Sequence, residues 1–406
     1  MSFSKLVDDF ALSPSEKAME ALVKKAMHGS VSDEDIAYLA NRMAESGTTL
    51  TFHDTSRVAD IASTGGPSSL STLLCPLFLQ AFGCIVPKLG VPGRPAGGID
   101  ALAQVPGYRY ELNDSEIRNI ISHFGYVHFL ASTQYTPLDA ALFEFRKRHG
   151  ALQVPLLVIA SILAKKIALG VTLVGLDVRV APHGNFGTTW VAARMHAKRF
   201  CRVADLLGCK AICFLSDARK PYQPFIGRGE ALAALSKIFS DSQSLWLQNH
   251  LDMCYAMARR LTVQDSGSLS ISRPSNTDLA SLFEKNLEAQ GASFASFLSY
   301  VAEVEAGHKY EMLAPEDGFL NVALGSLRTI ITSCQSQVAD TDLRFPDPCG
   351  VVLKKNSGQY VRKGELIATI RMAKTLQKDP VRTFGESFRI FSEPQAGDHF
   401  EEIANG

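Results

Sequence analysis

The stretch Asp60–Thr72, reading D-I-A-S-T-G-G-P-S-S-L-S-T, constrains the fold of this chain more than any other. It follows a short apolar segment ending at Ile61 and leads into the apolar run Leu70–Phe82. That order predicts a strand, a tight glycine-rich turn and the start of a helix. Gly65 and Gly66 allow positive φ and a close approach of backbone to a ligand. Pro67 suits the first turn of a helix, where no N–H is needed. Ser68, Ser69, Ser71 and Thr72 add hydroxyl donors where free amides and the helix dipole already favour an anion. A phosphate or similar oxyanion is the natural guest. A Ser/Gly-rich turn that only caps a helix fits the same residues, and the strict dinucleotide and P-loop patterns are both absent.

With 406 residues the chain is long enough for two or three domains. Lysine plus arginine equals aspartate plus glutamate at 41 each, so no basic field points to nucleic acid or an anionic membrane. Any bound anion is then held by local geometry. The start M-S-F-S-K-L-V-D-D-F lacks the continuous apolar region of a signal peptide. The longest apolar stretch, Val154–Leu163, is too short to span a bilayer. Eight cysteines without C-x-x-C pairs read as reduced, mostly buried thiols of a cytoplasmic protein, and no structural zinc site is expected.

Along the chain, residues 15–28 place Met19, Leu22, Val23 and Ala26 on one helical face, stopped by Gly29. A second helix opens at Ser32, with Asp35 completing a capping box, and runs to about Gly47. Two short amphipathic helices must pack on another segment or another subunit. From Val58 to Leu130 strand-like and helix-like segments alternate, which is α/β patterning. The turn-rich stretch Lys88–Asp100 holds Arg94 among glycines and prolines, either as a second wall of the anion site or as a solvated loop arginine. Residues 137–169 turn helical again, and Ser161 and Lys165, four apart, share a face of an otherwise apolar helix. A buried lysine needs a partner, and Arg146 on the preceding helix is within reach of the same space. A helix-end lysine snorkelling to solvent is the competing reading. Asp177, Arg179 and Asp217 fall near strand ends, where open α/β sheets bind ligands. One helix is expected over 277–305, then a β-rich region from Lys309 and a mobile tail from Ser392.

In order, the paired N-terminal helices, S-T-G-G, P-x-G-G-I-D-A-L-A-Q-V-P-G-Y, I-A-S-I-L-A-K-K-I-A, D-V-R-V, S-D-A-R-K-P-Y-Q-P-F-I-G-R-G-E-A-L and the β-rich C-terminus resemble the thymidine and pyrimidine nucleoside phosphorylases. That family includes AMP phosphorylases and is related in fold to anthranilate phosphoribosyltransferase. The resemblance covers nearly the whole chain. It implies an α/β fold with a small helical domain (1–50 and 137–170) facing a larger α/β domain (55–133 and 171–305) across a cleft. A β-rich, barrel-sandwich-like subdomain (306–406) completes it. It further implies a homodimer and reversible phosphorolysis of a pyrimidine nucleoside or nucleotide to free base and sugar 1-phosphate. Phosphate is then a co-substrate, no organic cofactor is needed, and a monovalent or divalent cation at the anion site stays open.

The resemblance assigns the base to Arg146, Ser161 and Lys165. A uracil-like ring offers O2, O4 and N3–H to two cations and a hydroxyl, and Arg146 and Lys165 would stabilise the charge growing on the leaving base. The candidate phosphate ligands are Ser63, Thr64, Gly65, Gly66, Ser68, Ser71, Thr72 and Arg94, of which the resemblance itself retains Ser63 and, in place of a serine, Thr72. The AMP phosphorylase branch makes Asp217 a candidate acid. The departures lie at the anion site. Ile61 and Ala62 stand where thymidine phosphorylases carry lysine and histidine, Pro67-Ser68-Ser69 replaces G-x-G-D/N, and Gly98 aligns with a phosphate-facing threonine. Lys88, Arg94 or Arg179 are the cations available to replace the lysine. Two alternatives follow from these changes: glycosidic cleavage with water or another acceptor, and a catalytically silent pyrimidine-binding relative.

Overall fold

The computed structural model describes residues 1–53, 56–92, 95–182, 184, 186–263, 272–338, 344–376, 379–393 and 400–404. The chain opens with three helices, α1 (Phe3–Leu12), α2 (Glu16–His28) and α3 (Asp33–Ala44). Ser15 caps α2, whose buried face is Met19, Leu22, Val23 and Ala26 as the periodicity predicts. Ser32 and Asp35 form the expected capping box of α3, an arrangement that contributes about 1 kcal/mol. Helix α1 was not expected. Ser2 caps it, and Phe3, Val7 and Phe10 recur at helical spacing on its buried side.

The chain then alternates: β1 (Ala59–Ser63), α4 (Ser71–Ala81), β2 (Val86–Gly90), α5 (Ile99–Leu102), α6 (Asp114–Phe124) and β3 (Tyr126–Leu130). Two further helices, α7 (Pro137–Arg148) and α8 (Pro155–Ala168), return to the first layer, each opened by a proline in its first turn. Helix α8 lies on α3, and buries Leu157, Ile159, Ala160, Leu163 and Ala164. Next come β4 (Leu173–Val180), α9 (Trp190–Leu206), β5 (Lys210–Asp217), β6 (Phe225–Ile226), α10 (Arg228–Phe239), α11 (Leu245–Thr262), α12 (Asn276–Ala289) and α13 (Phe294–Ala306). The single helix expected over 277–305 is thus two. Gly291 takes φ +88° between them, a conformation that ends one helix and lets the chain turn into the next.

The last third holds β7 (Lys309–Leu313), β8 (Gly318–Val322), α14 (Leu324–Gln337), β9 (Cys349–Leu353), β10 (Tyr360–Val361), β11 (Leu366–Met372), a short α15 (Pro380–Gly385), β12 (Phe388–Phe391) and β13 (Phe400–Ala404). Two small antiparallel sheets, β6-β9-β11-β7 and β10-β8-β12, enclose a core that includes Leu320, Val351, Ile367 and Ile370. Helix α14 interrupts the region expected to be β-rich. Its Ser, Thr and Ile content disfavours helix, but Leu324, Leu327, Ile331 and Cys334 lie at helical spacing and are buried, so packing outweighs propensity.

The main sheet runs β1-β4-β5-β13. β1, β4 and β5 are parallel, with Ile61 beside Gly175 and Leu176 beside Cys213. A parallel bridge between Val58 and Ile85 adds the parallel pair β2-β3 on the outer edge of β1. The tail expected to be mobile contributes a strand instead: Phe400–Ala404 pairs antiparallel with β5, Ile403 beside Cys213. This covers a strand edge that would otherwise be open. All eight cysteines are free and buried. No helix among the described residues is long and apolar enough to cross a membrane.

Candidate functional site

Strand β1 delivers the glycine-rich turn as the sequence predicts. Gly65 and Gly66 take φ +92° and +145°. The helix starts later than expected, at Ser71, so Pro67 lies in the turn and not in the first helical turn. Leu70 is the N-cap of α4, and the amides beside it are largely used: Ser71 N–H donates to Ser69 Oγ (3.1 Å) and Leu73 N–H to the Leu70 carbonyl (2.9 Å). The Ser63 hydroxyl accepts from the Gly65 amide (3.1 Å), and Thr64 Oγ1 accepts from the Arg179 amide (3.0 Å).

Beneath the turn lies a polar layer. Ser71 is buried, and its hydroxyl donates to Asp177 Oδ2 (2.7 Å). Arg179 donates to the same oxygen (2.9 Å), to Ser71 (3.2 Å) and to the Gly66 carbonyl (3.2 Å). Ser68 is also buried, its hydroxyl accepting from the Tyr222 amide (3.1 Å). His250 Nε2 accepts from the Leu70 amide (2.8 Å), and its ring stacks on Tyr222 at 5.6 Å. Ser68, Ser71 and Arg179 therefore shape the turn from below. Thr72 lies on the other side, near Gly98 and His128: a methyl-sized atom added to Gly98 would fall 3.3 Å from Thr72 Cβ and 2.4 Å from His128 Cε1. Arg94 lies outside the described residues.

Ser161 and Lys165 meet as expected. Lys165 Nζ donates to Ser161 Oγ (2.9 Å) and to the Ser161 carbonyl (3.2 Å). Its strongest partner is one that sequence reading missed, the carboxylate of Asp139 on α7. Asp139 is 2% exposed, and its second oxygen, Oδ1, has no hydrogen-bond partner among the described residues. The one available signal was an aspartate two residues after the helix-opening Pro137. Among the described residues no hydrogen bond joins Arg146 to the Ser161–Lys165 pair. Its guanidinium donates to the carbonyls of Ala151 (3.2 Å), Leu152 (2.9 Å) and Leu157 (3.3 Å), the last one turn before Ser161 on α8. Burial lowers its pKa to about 10, with Asp139 acting against that, so it stays cationic at neutral pH. These bonds use three of its five N–H groups.

The next residue, Lys166, points elsewhere, and its ammonium binds Asp60 Oδ2 on β1. Lys88 of β2 binds Asp60 Oδ1 (2.6 Å) and the Ile61 carbonyl (2.8 Å). All three side chains are buried. The two lysines outweigh burial and hold Asp60 ionised far below the ordinary carboxylate range. Ile61 is itself buried in apolar packing. Asp217, at the end of β5, accepts a bidentate pair of bonds from Arg219 (2.6 and 2.9 Å). Burial raises its pKa, but the Arg219 bonds outweigh that and hold it low, the opposite of what a proton donor at neutral pH requires. Among the described residues no group of three or more His, Cys, Asp or Glu is placed to hold a metal ion.

Consecutive lysines thus place one ammonium on Ser161 and Asp139 and the next on the strand that ends in the glycine turn. A cationic face on α8 and an oxyanion-shaped turn after β1 are tied together through Asp60. Such a pair suits an enzyme that handles an anion and a polar planar group side by side. The sequence comparisons agree with this class. The chain is 26% identical over 389 residues to the pyrimidine-nucleoside phosphorylase of Geobacillus stearothermophilus, covering 93% of this chain and 89% of that protein. It is 25% identical over 395 residues to that of Bacillus subtilis (93% and 89%), and 26% over 379 residues to that of Staphylococcus haemolyticus (89% and 85%). At 25–26% identity the chain is similar to the pyrimidine-nucleoside phosphorylases over nearly its whole length. No family model matches it. A solved anthranilate phosphoribosyltransferase from Thermus thermophilus aligns with a TM-score of 0.47 at 16% identity, over 74% of this chain and 99% of that one.

Proposed function

We propose that this protein is a pentosyltransferase that moves the sugar of a pyrimidine nucleoside or nucleotide from the base to phosphate, releasing free base and sugar 1-phosphate. The observation that carries the reading is the Lys165–Ser161 pair, coupled through Lys166 and Asp60 to the strand that opens the glycine turn. The names of the relatives point to the same reaction class.

In this reading Lys165 and Ser161 hold the edge of the pyrimidine. Arg146 adds positive charge from one turn away, with two N–H groups still free to bond. As the glycosidic bond breaks, negative charge moves onto the base, and fixed donors already in place stabilise it without reorganising. The incoming oxyanion sits at Ser63–Gly66 and the first turn of α4, below the electron-poor anomeric carbon. Asp217, held ionised, receives no role as an acid here. The eight free, buried thiols suit a cytoplasmic enzyme, and a homodimer is part of the same proposal.

Ile61 and Ala62 keep a second reading open, in which water or another oxyanion is the acceptor. Product analysis separates the two. Uridine, deoxyuridine, thymidine and cytidine are each incubated with the protein, with and without phosphate, and the bases are separated by chromatography. Free base that forms only with phosphate supports phosphorolysis. Free base in both conditions moves the assignment to hydrolysis, and no free base at all removes the proposal for these substrates.

A further inference from the structure

We propose that Lys88 is the cation of the anion site in this chain, entering from β2 in place of the lysine that the resemblance puts at Ile61. The inference rests on the phosphorolysis reading and names the residue that makes it workable without a lysine on β1.

Three observations meet at Lys88. The first is place. Its ammonium lies 2.8 Å from the carbonyl of Ile61, the residue at the vacated position, two residues before Ser63. In the β2–β3 register Lys88 stands beside His128. The His128 ring faces Gly98 and, through it, Thr72 in the first turn of α4. Gly98 is the position that aligns with a phosphate-facing threonine, so the residue paired with Lys88 packs its ring against that position, with Thr72 on the other side of it.

The second observation is charge. Lys88 and Lys166 share one carboxylate, Asp60, and all three are buried. The neighbouring Lys165 is already matched by Asp139. The cluster therefore carries one positive charge in excess, away from water, which is unfavourable unless an anion completes it. The third is hydrogen bonding. Two ammonium groups offer six N–H donors, and three of these meet acceptors among the described residues: Asp60 Oδ1, Asp60 Oδ2 and the Ile61 carbonyl. The site has both a charge and donors to give. Arg179 does not, because Asp177 matches its charge one for one and its N–H groups hold Ser71 and Gly66.

The charge count also supplies the test. Lys88→Met leaves a balanced Asp60–Lys166 pair, so a structural role alone predicts a folded protein with unchanged substrate constants. Phosphorolysis rates are measured against phosphate and nucleoside for the wild type and the variant, with melting curves taken at increasing inorganic phosphate. We expect the phosphate KM to rise about 10- to 100-fold, the loss of one charge-assisted contact. The nucleoside KM should stay within about twofold, and the phosphate-dependent rise in Tm should disappear. Should the Met variant not fold, Lys88→Gln, which keeps a donor for Ile61 without the charge, is read in the same assays. A phosphate KM unchanged in the folded variant overturns the inference and leaves the phosphorylase reading standing. If the wild type shows no phosphate-dependent turnover, the Tm series decides alone. Stabilisation by phosphate in the wild type but not the variant keeps Lys88 as an anion ligand while the reading fails. No response in the wild type, or an equal one in both, overturns the inference.

Discussion

The Lys165 ammonium and the Asp139 carboxylate meet between α8 and α7, the aspartate side chain 2% exposed and the lysine 14%. Asp139 uses one oxygen, and the other has no hydrogen-bond partner among the described residues, so its contribution there is mainly charge. Asp139→Asn should destabilise the fold by about 2–4 kcal/mol, because breaking a buried pair from one side leaves the other charge uncompensated. Lys165→Met should do the same from the other side. The double variant should recover more than half of the summed loss, since both charges then leave together. Urea unfolding of the four proteins measures this, and strictly additive losses would show that the two groups are not coupled.

In the proposed function, base activation rests on Lys165. The turnover of Lys165→Met should drop at least about 100-fold, near 3 kcal/mol of transition-state stabilisation. Circular dichroism should still show a folded protein. Turnover close to wild type would remove Lys165 from the site.

Gly66 joins the turn to the polar layer beneath it. At φ +145° a side chain is strained, and an added Cβ would fall 2.9 Å from Arg179 Nη1. Gly66→Ala should therefore cost about 1–3 kcal/mol of stability and weaken phosphate binding more than nucleoside binding. Gly83, also at positive φ but with open space around its missing Cβ, is the control. Its alanine variant should leave both substrate constants unchanged.

Periodicity and spacing made much of this legible. The caps at Ser15 and Ser32, the strand–turn–helix around Gly65, and the Ser161–Lys165 pair all rest on local spacing, and local spacing is what a sequence displays. What stayed hidden was which long-range partner each charge would take. Arg146 was within reach of Ser161 on helical geometry, yet the carbonyls of Ala151 and Leu152 in the loop before α8 and of Leu157 in its first turn hold its guanidinium. Ser71 read as a phosphate donor, but Asp177 comes from a strand more than 100 residues away to accept its proton. Asp60 and Lys166 were visible only as letters within motifs, because nothing local says that β1 and α8 will touch. Helix α1 was legible and overlooked: Phe3, Val7 and Phe10 lie at helical spacing behind a serine cap. For α14 the obstacle was composition, since its residues favour strand and only their burial makes it a helix.

His250 links the turn to pH. Burial lowers its pKa to about 3, with Asp177 opposing and Arg179 assisting. The folded protein therefore keeps the ring neutral while the unfolded chain protonates it near 6.5. Between those values the unfolded state binds the extra proton, so stability should fall as pH drops below about 6.5 and stay level, as far as this group is concerned, above 7. One proton corresponds to a slope approaching 1.4 kcal/mol per pH unit, or about 1–2 kcal/mol lost by pH 5. The structural reason is specific. Nε2 accepts from the Leu70 amide at the N-cap of α4 (2.8 Å), and a protonated ring has no lone pair to do so. Acid should therefore loosen the start of α4 as well as the fold, and, on the proposed function, phosphate-dependent stabilisation should fade over the same range. His250→Gln keeps an acceptor without a titrating group, and urea unfolding at pH 7.5, 6 and 5 should show a flatter profile for it than for the wild type. Equal slopes in both proteins would assign the acid sensitivity to another group.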